Sequence, residues 1–86
     1  MSKLRIDTGD VVYNFPSGEK WVVAYVKDDY IYPLGWPESR DRTQNCKFLI
    51  KASPERRLEL LNEMSISKSH LGEYARKQLE VEKEIL

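Results

Sequence analysis

The sequence predicts an α+β fold: a small antiparallel β-barrel or half-barrel of four to five strands over residues 9–52, followed by two helices over 53–86. Three observations carry this. Residues 11–52 fall into short apolar runs separated by Gly, Pro, Asp and Asn, the punctuation of a strand-rich segment. At Ser53-Pro54 the two-residue period gives way to a helical one. Finally, Lys20 to Pro37 reads as a β-hairpin whose first strand is apolar on both faces and therefore central.

In chain order, Leu4 and Ile6 alternate with Lys3, Arg5 and Asp7, so residues 1–8 are either a flexible end or an edge strand. Thr8-Gly9-Asp10 is a turn signal, and Val11 to Phe15 follows as a strand with Val11, Tyr13 and Phe15 on one face. Pro16-Ser17-Gly18-Glu19 supplies the next turn. The central strand places Trp21, Val23 and Tyr25 on one side and Val22, Ala24 and Val26 on the other. Its partner is Tyr30 to Leu34, joined through Lys27-Asp28-Asp29. Pro33 and Gly35-Trp36-Pro37 stop that strand, since proline cannot donate to a ladder.

Glu38 to Asn45 contains no apolar residue and reads as a charged loop. Cys46 to Ala52 restores alternation, with Cys46, Phe48 and Ile50 on one face. Ser53 and Pro54 are an N-cap and a first helical residue. The helix they open carries Leu58, Leu61 and Met64 on a stripe. After the cap-rich break Ser65 to Ser69, a second helix begins near His70 with Leu71, Ala75 and Leu79 at i, i+4, i+8, continued by Ile85 or Leu86. Such a helix needs a packing partner. Short twisted strands followed by helix point to an SH3-like small barrel with a helical arm, because closure removes exposed edges. The alternative is an open four-stranded sheet with both helices across one face.

Length and charge narrow the function classes. A chain of 86 residues buries only roughly 60–65% of its unfolded surface, too little for a large active-site cavity. Lys plus Arg equals Asp plus Glu at 14 each, which removes the global attraction of a dedicated nucleic-acid or membrane binder. One cysteine and one histidine exclude an intramolecular disulfide and a Cys/His zinc set. No apolar run resembles a signal peptide or approaches the ~18 residues of a membrane span. The expected location is the cytoplasm.

The string from Gly9 to Val26, the Gly35-Trp36-Pro37-Glu38 element, Asn45-Cys46, Arg57 to Leu61 and Tyr74-Ala75-Arg76 together resemble small proteins encoded in bacteriophage and prophage genomes. The resemblance runs from about residue 9 to 79. It implies a phage or prophage origin, hence a host-cell cytoplasm, and no particular activity; no catalytic or binding residue carries over.

An enzyme reading has Cys46 as a possible nucleophile and His70 as a possible base, and neither suits the role. Cys46 lies on an apolar strand face, where a cysteine is a small hydrophobe. His70 stands at a helix start as a surface residue, Asp28-Asp29 suits a turn, and no glycine-rich phosphate loop is present. The expectation is a non-enzymatic protein without cofactor or metal. Residues 38–57 hold six basic against three acidic residues, and Tyr30, Tyr32 and Trp36 lie close to them, a pattern compatible with weak single-stranded nucleic-acid binding. The preferred reading is a protein-interaction module. Seven of the nine aromatic residues fall between Tyr13 and Trp36, more than so small a barrel can bury, and exposed aromatics at a barrel mouth dock partner chains. The expected binding residues are Tyr30, Tyr32, Trp36, Arg40 and Arg42, the expected partner a host or phage protein. A homodimer through the C-terminal helix is a further expectation.

Overall fold

Asp28 and Asp29 both adopt positive φ, 52° and 68°, as a two-residue type I′ hairpin turn requires. They join β2 (Glu19–Lys27) to β3 (Tyr30–Pro33). The computed structural model describes residues 6–36 and 38–85. Its remaining elements are β1 (Val11–Asn14), β4 (Asp41–Arg42), a 3-10 turn (Thr43–Asn45), β5 (Cys46–Ile50), α1 (Pro54–Met64) and α2 (His70–Ile85). Residues 1–5 of the stretch read as a flexible end or an edge strand, together with Pro37 and Leu86, lie outside the described residues, and residues 6–8 are not in a strand.

The five strands form one antiparallel sheet in the order β4-β3-β2-β1-β5, so β2 is central, as its two apolar faces demand. The sheet does not close into a barrel: β4 and β5 are its two edges and share no ladder. A two-residue β4 offers too little backbone to close against. Hydrogen bonds through Asp41 and Asn45 span the gap instead. Asp41 of β4 accepts from Asn14 Nδ2 of β1 and from Asn45 Nδ2, both at 2.8 Å, and the Phe15 amide donates to the Asn45 carbonyl at 3.0 Å. The segment read as a charged loop thus contains a short edge strand and a 3-10 turn.

Two register shifts alter which residues share a face. In β2 the pairing with β3 slips between Val23 and Tyr25. Trp21 and Val23 consequently pack with Val12, Ile31 and Val26, whereas the adjacent pair Ala24 and Tyr25 both turn to the helices. Strict alternation would have kept Tyr25 with Trp21; the bulge separates them. The second shift, between Val11 and Val12, pairs Val12 with Phe48 and Val11 with Ile50, so Phe48 and Ile50 lie on opposite faces and Ile50 is exposed. In β1, moreover, Val12 and Asn14 are the buried residues, and Val11 and Tyr13 are only half-buried.

The helices cover the second face of β2. Ser53 caps α1 by accepting from the Arg56 amide at 3.1 Å, with Pro54 in the first turn. The buried residues of α1 are Leu60, Leu61 and Met64; Leu58, expected on that stripe, is exposed. Leu61, Met64, Leu71 and Ala75 pack on Ala24 and Tyr25, with Leu79 against the same cluster. Leu71, Ala75 and Leu79 of the α2 stripe are thus packed within the chain, while the end of that stripe, Ile85 or Leu86, lies outside the described side chains. At the other end of the helices, Arg57 bridges Asp7 (2.9 Å) and Glu82. Burial works against its charge, but Glu82 and Asp7 outweigh that and raise its pKa. Asp10, 1% exposed, is satisfied by the Asp7 amide (2.9 Å), the Ala52 amide (2.8 Å) and Lys51 Nζ (3.0 Å). Thr8 donates to the Ala24 carbonyl at 2.6 Å, anchoring the chain before β1. Among the described residues, no helix is long and apolar enough to cross a membrane.

Candidate interaction surface

Four of the five expected binding residues gather on β3, β4 and the loop between them. The Arg40 guanidinium sits 4.4 Å from the centre of the Tyr30 ring and that of Arg42 5.7 Å, both within cation–π range. Arg40 Nη1 also donates to the Tyr32 hydroxyl at 3.3 Å, and this contact raises the Arg40 pKa. Tyr32 belongs to a column of three rings. Tyr25 lies at its centre, stacked on Tyr32 at 4.5 Å and on Tyr74 of α2 at 4.4 Å, with interplanar angles of 10° and 12°. His70 meets Tyr25 and Tyr32 edge-on, and its Nδ1 lies 2.6 Å from the Tyr25 hydroxyl. Burial pushes the Tyr25 and Tyr74 phenols above their ordinary pKa. The ring faces on this side are thus largely occupied by the chain itself.

Trp36 stands apart. It is 58% exposed, and no ring or hydrogen-bond contact among the described residues joins it to the Tyr–Arg group. The sequence grouped it with Tyr30, Tyr32, Arg40 and Arg42 as an expected binding residue. Instead, the positive φ of Gly35, 91°, sets it at the rim of an open groove of about 350 Å³ that Trp21, Pro33, Ser17, Glu19 and Ser39 also line. Pro33 is buried opposite Val23 in the ladder, and Trp21 is 8% exposed, so the floor of this groove is rigid. Phe15, on the β1–β2 connection that also carries Ser17, is exposed and edge-on to Tyr13 at 5.3 Å.

Sequence reasoning identified Trp36 as exposed from its Gly and Pro neighbours, but not its companions. Trp21 and Pro33 reach the same groove only because β2 and β3 pair in the register Val23 to Pro33. The Tyr25–Tyr74–His70 assembly depends on where α2 lands, for which the sequence carries no local signal.

Cys46 is half-buried, packs against the Trp21 cluster and accepts from Asn14 Nδ2 at 3.4 Å. Burial pushes its thiol pKa up, away from nucleophilic thiolate chemistry. Among the described residues, no group of three or more His, Cys, Asp or Glu is placed to hold a metal ion.

Compared with protein families, curated proteins and solved structures, the chain matches none of them.

Proposed function

We propose that this protein is a non-enzymatic interaction module that binds a protein partner, of host or phage origin, through the groove that Trp36 rims. The observation that carries this reading is the exposed Trp36 indole beside a rigid floor of Trp21 and Pro33. A large amphipathic ring at the rim of a groove that offers Trp21 and Pro33 for apolar contact and Ser17, Glu19 and Ser39 for polar ones has the features of an interface anchor, for tryptophan is enriched among the residues that dominate interface energetics. The scaffold reads as an incompletely closed SH3-like sheet: five short antiparallel strands, with a 3-10 turn between the last two. Nucleic-acid binding draws less support, because Arg40 occupies the Tyr30 face and the tyrosine column is stacked on itself, so the open rings, Trp36 and Phe15, are not the ones that the arginines join.

Two tryptophan variants test the proposal. Trp36→Ala should lower stability by less than about 1.5 kcal/mol, an exposed-site effect, while abolishing retention of partner protein on the immobilised chain. Trp21→Ala should cost about 3–5 kcal/mol, as large core truncations do, and unfold the domain. Equal loss of stability in both, or undiminished capture by Trp36→Ala, overturns the reading. Tight, salt-sensitive binding of single-stranded DNA that Arg40→Ala removes would favour the nucleic-acid alternative.

A further inference from the structure

The register of the sheet sorts its charges by face, because directly paired residues share a face and faces alternate along a strand. Tyr13 is paired with Lys20 on one side and Lys47 on the other, and Tyr30 with Lys27 and Arg42. These four cations lie on the face away from Trp21. Arg40 joins them there, its guanidinium on the Tyr30 ring. The Trp21 face carries the opposite sign. Glu19 stands two residues before Trp21 in β2, opposite Asn14, and Asp41 is paired with Ile31, which packs in the Trp21 cluster. Every charged residue of the five strands follows this division.

The groove that Trp36 rims opens on the acidic face. Of its lining residues, Ser17, Glu19, Trp21, Pro33, Trp36 and Ser39, only Glu19 is charged. Glu19 is exposed and, among the described residues, engaged in no ion pair. A second carboxylate stands one side chain behind the wall: Asn14 accepts from the Ser17 amide at 2.9 Å and gives its Nδ2 to Asp41 at 2.8 Å. Glu38, next to Ser39 on one side, is exposed and adds to the same sign. Arg40, next to it on the other, turns its guanidinium to Tyr30 and Tyr32 on the opposite face.

An exposed indole and a carboxylate lining one groove both favour a cation, the ring through its quadrupole and the carboxylate through its charge. A neutral apolar group would cover Glu19 without giving it a partner, which costs free energy. We propose that the partner enters this groove with a lysine or arginine side chain, its stem along Pro33 and Trp21 and its head between the Trp36 ring and the Glu19 carboxylate. Both side chains suit such a place, since each joins an apolar stem to a charged head. This rests on the groove being a protein-docking site and adds the charge of what docks there.

NMR titration of the full chain at constant low ionic strength, followed at the indole N–H signals of Trp21 and Trp36, tests this. The probes are n-butylammonium and n-butylguanidinium, with n-butanol as the neutral counterpart. At least one cation should shift the Trp36 signal saturably, and butanol should bind at least about fivefold more weakly. Glu19→Gln should weaken the cation roughly two- to fivefold, the worth of an exposed ion pair, and leave butanol unchanged. Trp36→Ala should remove the response at Trp21, with circular dichroism unaltered. Butanol binding as tightly as the cations, or a cation indifferent to Glu19→Gln, would overturn the charge inference while leaving the groove a docking site. No response to any probe would overturn it as well. The docking site itself falls only if Trp36→Ala captures partner protein undiminished.

Discussion

Asp41 shows how much one side chain can hold. Its carboxylate accepts from Asn45 and Asn14 side chains and from the Arg42 amide, and these bonds lower its pKa. The sign of the consequence follows. As pH falls, the unfolded chain takes up this proton first, so the contribution of Asp41 is complete above its unfolded pKa near about 3.9 and is lost as pH drops through the lower folded value. Asp41→Asn should therefore melt below the wild type at neutral pH, with the difference shrinking under about pH 4. A gap that stays constant in acid would show that the carboxylate charge is not what the two asparagines read. Asn14 is the matching case: a polar residue buried at 1% exposure because it bonds Asp41, Cys46 and the Ser17 amide. Apolar alternation passes over such a residue, which is why the inward face of β1 was read as Val11 and Tyr13 rather than Val12 and Asn14.

At the scale of elements, the sheet and the helices are one structure. Ala24 and Tyr25 are buried only because Leu61, Met64, Leu71 and Ala75 cover them, and each such leucine or methionine contributes on the order of 1.5–3 kcal/mol. A chain ending at Ala52 would expose that face and lose Arg57 and Glu82, leaving Asp7 of the bridge alone. It should fail to give a cooperative melt, measured by tryptophan fluorescence, and not merely lose helical circular dichroism. A cooperative transition in the truncated chain would make the helices an appended arm. The α1 stripe teaches a related point. Leu58, Leu61 and Met64 fit a helical period, yet Leu60 takes the buried place beside Gly9, since both leucines lie near the edge of the stripe and only the packed sheet decides between them.

For the whole molecule, the sequence was most legible where pattern and turn chemistry agree. The Asp28-Asp29 hairpin, the central β2, the Ser53-Pro54 helix start and the second helix from His70 all stand where the residues put them. Two things escaped. A two-residue strand built from Asp41 and Arg42 has no period to detect, and bulges reverse the face of every residue beyond them, as Tyr25 and Ile50 show. The candidate surface was legible in the same proportion. Trp36 is exposed because nothing apolar follows it, whereas its neighbours are chosen by strand pairing far along the chain.

The bridge of side chains between β4 and β1 has a kinetic consequence. Where a closed barrel would have a ladder between its edges, this sheet has a few hydrogen bonds through Asp41 and Asn45, and β4 itself is held to β3 by two paired positions, Tyr30 with Arg42 and Ile31 with Asp41. Local opening there costs far less than global unfolding. Amide hydrogens of Arg42 and Thr43 should exchange with deuterium well before those of Val12 and Val23, and Asn14→Ala should speed the first set while leaving the second unchanged. Uniform exchange across both sets would mean that the seam does not open by itself. Ser39 stands two residues before β4, so this opening loosens the wall of the groove that Ser39 lines, while Trp21 and Glu19 stay with β2 and Pro33 with β3.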